Sequence, residues 1–348
     1  MSVLCQIKPR YGAEWKSMGF FTNPGAVGVE IDTGVIRAVE LKGSGRAVSL
    51  AAAGQIDIPL PAVSEGVVAQ AAVVAGALRE LWSRCGISKQ RVVLGICNQN
   101  VFMRIATLPK IPEKKLAQAL RFQAGQYFPV NISQLVFDYA LLGEVSKAKA
   151  AELEVLLVAS RRDIVQTNLQ ALEAAGLQTE ILDISYLALL RTLSATQRSD
   201  TLVLVDIANG LTTIQLVSRG VPRFSRVIAH SLITYAGEAD LALQEAALLS
   251  RPPDGDWLVT LANEIRSSVS YYLAQGNAGM VNSVLLSGRG ARLKGLPERL
   301  QEELEVPVEV LDPLQNLSQS LPASGVDLGA AGADFAVCIG LALRGLGA

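Results

Sequence analysis

Apolar positions along the chain fall into two successive blocks, each of short β-rich runs followed by helical stripes. Residues 27–31, 35–41 and 46–55 are rich in Val, Ile, Leu and Ala and are separated by turn residues that include Gly34, Gly43 and Gly45, which predicts consecutive strands. Residues 67–84 then carry Val67, Ala71, Val74, Leu78, Leu81 and Trp82 on one helical face. Strands are predicted over 91–109, ending at Leu108-Pro109, and a helix over 113–127. A buried strand over 153–159 precedes an amphipathic helix over 162–175, stopped by Gly176. The second block opens at Thr201 with strands over 202–207 and 211–217. A loop with two prolines over 251–256 leads into a helix over 257–275, and a strand over 281–286 runs into Ser287-Gly288-Arg289-Gly290. Helices over 296–304 and 333–346 flank a long loop over 311–332. Strands followed by helices, twice over, predict an α/β fold.

The two blocks share a signature. The first reads Val29-Glu30-Ile31-Asp32-Thr33-Gly34-Val35 and the second Val205-Asp206-Ile207-Ala208-Asn209-Gly210-Leu211. Each is an apolar strand, an acid, Ile, two turn residues, Gly and a second apolar strand, which predicts a duplicated hairpin with an acid at its mouth.

Composition narrows the chemistry. The chain has 348 residues, 31 basic and 32 acidic, for a formal charge of −1, so it offers no global basic field and nucleic acid is not an expected partner. Its length suits roughly two domains of ~150 residues. The single histidine, His230, excludes any site that needs two imidazoles. Cys5, Cys85, Cys97 and Cys338 form no Cys-x-x-Cys pair and read as free thiols in a reducing compartment. No uncharged apolar run reaches the ~18–20 residues of a membrane span, and charges at Lys8, Arg10, Glu14 and Lys16 do not resemble a signal peptide. A soluble cytoplasmic protein is expected. Residues 1–26 mix these charges with Tyr11, Trp15, Phe20 and Phe21 and read either as a loose tail or as a surface-binding segment.

Two hairpins from similar lobes can face one another across a cleft. Backbone N–H groups of tight turns make anion-binding concavities, and glycine admits a phosphate closely. The acids Glu30 and Asp206 could hold a magnesium ion or position a water. Ser287-Gly288-Arg289-Gly290-Ala291, after a buried strand, would suit a purine and ribose pocket. The same hairpins read equally as ligand-free turns, which such residues favour anyway. Elsewhere, His230 reads as a satisfied loop or core residue, Glu264 with Arg266 as a helix-surface pair, and Tyr271-Tyr272 as core. The cations around 147–149 and 161–162 read as solvated.

These three pieces resemble the two phosphate motifs and the adenosine motif of the actin-like ATPase superfamily. More closely, residues 27–345 resemble the PilM family of type IV pilus assembly. The matching stretches are Val27-Gly28-Val29 through Ile36-Arg37-Ala38-Val39-Glu40-Leu41, and Val101-Phe102-Met103-Arg104 through Leu108-Pro109. Gln126-Tyr127-Phe128-Pro129, Asp138-Tyr139, Glu264-Ile265-Arg266-Ser267 with Tyr271-Tyr272, and Ile339-Gly340-Leu341-Ala342-Leu343-Arg344 add to them. The resemblance implies an actin-like (duplicated, ribonuclease H-like) fold of two lobes with an inserted subdomain placed as in the division protein FtsA. The expected division is a flexible segment 1–26, a first lobe of 27–91 with 176–200 and 333–348, an insert of 92–175, and a second lobe of 201–332.

The resemblance also implies an ATP and magnesium site. Its candidate residues are Glu30, Thr33, Gly34, Arg37, Asp206, Asn209, Gly210, Thr212, Gly288, Arg289 and Gly290, with Glu30 and Asp206 on the metal. This chain departs from the family pattern in all three motifs. Glu30 stands for Asp, Asp32 for a loop glycine, Val35 for a hydroxyl residue, Ala208 for a glycine, His230-Ser231 for a Gly-Gly pair and Arg289 for a glycine. The acid and lysine expected near 238–246 are not recognisable. A carboxylate ~4 Å from a phosphate is repelled by ~4 kcal/mol at an effective dielectric near 20, so the site is expected to be degenerate, with little or no ATP hydrolysis.

The expected function is a scaffold at the cytoplasmic face of the inner membrane that joins a membrane protein to the pilus or secretion motor and platform. Its implied partner is the N-terminal tail of a PilN-like protein, lodged between the main lobe and the insert and touching Leu108, Tyr127 and Phe128. Membrane association would then be peripheral and partner-dependent, with homo-oligomers as a further possibility. The alternatives are an active actin-like ATPase or small-molecule kinase using Glu30 and Asp206, and a filament-forming actin homologue.

Overall fold

A computed structural model describes residues 25–45, 47–147, 150–237, 245–275, 280–318 and 328–347. The expectations for residues 1–24, for Lys149 and for the acid–lysine pair at 238–244 lie outside them. Strands β1 (Gly25–Asp32), β2 (Val35–Ser44) and β3 (Ala47–Asp57) form an antiparallel meander. Strand β1 is buried along nearly its whole length, as the apolar run of a sheet covered on both faces must be. The helix expected from Val67 starts later, as α1 (Ala71–Cys85). Val67 and Val68 instead pair with Ser64 and Val63 around a tight turn. The following strand β4 (Arg91–Ile96) runs parallel to β1.

The described residues form two compact units, one over Asn100–Gln166 and one over Asn23–Gln99 with Thr167–Ala348. In the first, β5 (Val101–Pro109) leads to α2 (Glu113–Tyr127), then to the long hairpin of β6 (Leu135–Lys147) and β7 (Ala150–Arg161). The sheet order is β5-β7-β6, all antiparallel. Leu116 and Leu120 of α2 pack with Leu108, Phe128, Val155 and Leu157. Helix α3 (Arg162–Ala174) leads back to the larger unit. Residues 92–99 and 167–175, assigned above to the insert, fall in the larger unit, where β4 pairs on both sides inside the first sheet.

Strand β8 (Gln178–Ile184) lies parallel to β4 and completes that sheet in the order β8-β4-β1-β2-β3. Its alternating polar positions hid it from the pattern above, as did those of β11 below. The second half repeats the arrangement. Strands β9 (Thr201–Ile207), β10 (Thr212–Ser218) and β11 (Val221–Ile228) form a meander. After α4 (Gly255–Ala274), β12 (Ser283–Ser287) joins β9 in parallel, and after α5 (Leu296–Leu304), β13 (Val308–Val310) joins β12. The order β11-β10-β9-β12-β13 is the first sheet's order strand for strand. Trp257, Leu261 and Ile265 of α4 pack on Val205 and Ile214.

The last helix, α6 (Ala336–Gly345), is buried from Ala336 to Leu343. The segment Leu328–Gly345 is long and apolar enough to cross a membrane, but 72% of it is buried, the signature of a core helix. It meets β1 at Gly28, where an added Cβ would lie 2.1 Å from the Cys338 carbonyl oxygen. Gly28→Ala is therefore expected to cost about 1–3 kcal/mol through overpacking. Gly76→Ala, in open space inside α1, is expected to stabilise by ~0.4–1 kcal/mol. Denaturant unfolding of both variants checks the contrast.

Candidate functional site

The β1–β2 register places Glu30 opposite Arg37. Arg37 Nη1 lies 3.5 Å from Glu30 Oε2, and both side chains are almost wholly buried. The strands close through Thr33-Gly34, with Gly34 at φ +79°, a conformation that costs glycine little. Asp32 ends β1 and is also buried. Its Oδ1 accepts from the Thr33 amide at 2.7 Å.

The second hairpin meets the first. Asp32 Oδ2 accepts from the Asn209 amide at 2.8 Å, and Oδ1 from the Gly210 amide at 3.4 Å. Asn209 Nδ2 donates to the Thr33 carbonyl at 2.9 Å. A Cβ on Gly210 would lie 2.2 Å from Thr33 Oγ1, so glycine here permits the approach of the other hairpin. Asp206, Asn209 and Thr212 are buried, and Asp206 Oδ1, Asn209 Oδ1, Thr33 Oγ1 and Thr212 Oγ1 have no hydrogen-bond partner.

The third piece also converges here. Gly288 and Gly290 press against Ile207, where added Cβ atoms would lie 2.6 Å from its carbonyl oxygen and 2.3 Å from its Cγ2 respectively. Close packing on β9 thus accounts for both glycines. Arg289 is buried, and Arg292 Nη1 meets Asp334 Oδ2 at 2.7 Å. Asp334, which contributes to the charge felt by Arg37 and Asp206, was missed in the sequence. Its one signal there is an acid at the mouth of an otherwise apolar helix.

The other candidates have partners of their own. Leu108 and Phe128 belong to the core of the smaller unit, and Tyr127 packs against it with its hydroxyl 3.4 Å from Gln123 Oε1. The first two are structural residues of that unit, its interior being where large apolar side chains gain most. His230 stacks on Trp257, with ring centroids 4.7 Å apart, and its Nε2 lies 2.9 Å from the Trp257 carbonyl oxygen. Glu264 and Arg266 do not pair with each other. Glu264 meets Arg226 at 2.7 Å and Arg266 meets Glu303 at 3.3 Å, because side chains two apart on a helix point to different faces. Tyr272 is core, whereas Tyr271 is 56% exposed and lies against Phe224. Arg161 forms an exposed pair with Asp163.

A triphosphate with magnesium does not fit this arrangement as it stands. The Asn209 and Gly210 amides are already taken by Asp32, and Glu30 is held by Arg37. Among the described residues no group of three His, Cys, Asp or Glu is placed to hold a metal ion.

Burial pushes the Glu30 carboxyl up to about 8, against the pull of Arg37 and with help from Asp206 and Asp32. Burial likewise pushes Asp206 up to about 6, against the Ser287 hydroxyl. It also raises Asp32, against Arg37 and the amides of Asn209, Thr33 and Gly210. A carboxyl whose folded pKa is raised makes the folded state bind more protons than the unfolded chain, so stability falls as pH rises between the two values. For Glu30 that window runs from 4.5 to about 8, and the expected loss is on the order of a few kcal/mol. Melting temperatures from pH 5 to pH 8 check this. Glu30→Gln should flatten the fall, and a variant whose slope equals that of the unmodified protein would contradict it.

The chain is similar to known proteins over most of its length. The family model for the type IV pilus assembly protein PilM matches residues 28–231 and 256–346. A solved PilM–PilN type IV pilus biogenesis complex aligns at 28% identity, covering 92% of this chain and 98% of that one, with a TM-score of 0.78. The ethanolamine utilization protein EutJ of Carboxydothermus hydrogenoformans aligns at 15% identity over 93% and 90%, with a TM-score of 0.50. MreB5 of Spiroplasma citri, solved with AMPPNP, aligns at 11% identity over 91% and 94%, with a TM-score of 0.47. The two topologically identical sheets are the two α/β lobes of an actin-like ATPase fold, and the chain belongs to the PilM family of type IV pilus assembly proteins.

Proposed function

We propose that the chain is a scaffold at the cytoplasmic face of the inner membrane, and that it binds the short N-terminal tail of a PilN-like membrane protein to couple it to the pilus platform. The observation that carries this reading is the likeness to the PilM–PilN complex, which extends over 92% of this chain at a TM-score of 0.78. An extended tail suits such a partner, since main-chain hydrogen bonds with alternate apolar pockets give both affinity and selectivity. Titration calorimetry of the full chain with the tail peptide is expected to give a micromolar or tighter dissociation constant. No heat at high micromolar peptide would contradict the reading.

The proposal includes a degenerate nucleotide cleft. A general base must be poised to accept a proton, whereas Glu30 is paired with Arg37 and pushed up to about 8. Asp32 sets a negative charge on the amides that a phosphate would need. Both features support a cleft with weak nucleotide affinity and no turnover. Phosphate release from Mg-ATP is expected to stay at the level of a no-protein control. Steady release that Glu30→Gln abolishes would favour the ATPase reading instead.

A further inference from the structure

In the contact between the two hairpins the second supplies the donors and the first the acceptors. Asp32 gives its carboxylate to the amides of Asn209 and Gly210, and Asn209 gives its side-chain amide to the carbonyl of Thr33. These residues lie 177 positions apart, measured from Asp32 to Asn209, on the two different sheets of the duplicated fold. We propose that Asp32 is an internal ligand of the anion cradle on the second hairpin, so that the cleft is clasped shut by a protein carboxylate and a phosphate can enter only by displacing it.

The donors are of the kind an anion seeks. Successive backbone N–H groups of a turn present a concentrated positive edge, and here the amides of Asn209 and Gly210 both reach one carboxylate. Both carboxylate oxygens accept, and Oδ1 also takes the Thr33 amide. Only an ionised carboxylate accepts at both oxygens without needing an acceptor in return, and charge strengthens each bond. A phosphate oxygen would need the same N–H groups and would carry the same sign of charge, so the two ligands exclude one another.

The duplication explains why the clasp is one-sided. Asp32 and Ala208 occupy equivalent places in the two signatures, as do Thr33 and Asn209. A second carboxylate at 208 would face the first across a buried gap, where like charges repel strongly. A methyl leaves the second loop as pure donor, and one acid serves both loops. Space is closed as well, since Thr33 Oγ1 stands where a Cβ on Gly210 would go. The inference rests on reading this cleft as the place where actin-like relatives take nucleotide. It does not depend on tail binding, whose calorimetry reads the scaffold role separately.

Hydrogen exchange with residue-level mass spectrometry on the full chain tests the clasp. In the unmodified protein without nucleotide, the amides of Asn209 and Gly210 are expected to be protected, and millimolar Mg-ATP should leave them unchanged. In Asp32→Gly they should exchange at least tenfold faster and be protected again by Mg-ATP. A fluorescent ATP analogue with magnesium should bind this variant at least tenfold more tightly than the unmodified protein. Fast exchange at both amides in the unmodified protein overturns the proposal even if Asp32→Gly fails to fold. Unchanged exchange in Asp32→Gly overturns it too. So does faster exchange with no gain in affinity, since the cradle would then not be a phosphate site.

Discussion

Charge removed from water must be met by opposite charge or by hydrogen-bond donors, and the centre of this fold is arranged around that constraint. Glu30, Asp32, Asp206 and Asp334 are buried where the two sheets converge, with Arg37 among them. Arg37 takes Glu30 through cross-strand register, Arg292 takes Asp334, and Asp32 turns to the backbone of the other hairpin. Each pairing fixes a local geometry. Of the three, the Asp32 contact joins the two hairpins, and Gly210 lets them approach that closely, while Gly28 lets the last helix pack on β1.

Much of this was legible in the sequence because it is local. The acid-Ile-turn-Gly signature predicted both hairpins, and the sheets they head share one strand order. Helix α2 and helix α5 span the residues that periodicity assigned them. What stayed hidden depends on partners distant in the chain. Nothing around Asp32 shows that its donors are Asn209 and Gly210, and a misplaced carboxylate looks the same as a bridging one. Glu264 and Arg266 looked like a pair until β11 and α5 supplied Arg226 and Glu303 as their partners. Leu108 and Phe128 looked like a binding surface because large apolar residues beside prolines suit one, yet they fill the core of the smaller unit.

A cleft held by its own side chain suits a scaffold more than an engine. Without Asp32 the buried amides of Asn209 and Gly210 would lose their acceptor, which costs about 1–3 kcal/mol for each group left unsatisfied. An aspartate in place of a loop glycine supplies the missing acceptor. On the reading proposed above, it would replace a ligand-dependent contact with one internal to the chain, at the cost of a carboxyl buried against its preference. A partner peptide would then meet a pre-organised surface, which lowers the ordering cost of binding.

The central claim is that the closed cleft belongs to the protein alone. The most direct measurement is mass spectrometry of the supernatant after denaturing the freshly purified full chain. The account predicts no stoichiometric nucleotide. One equivalent of ATP or ADP released per chain would contradict it, because that nucleotide and the Asp32 carboxylate cannot hold the Asn209 and Gly210 amides together.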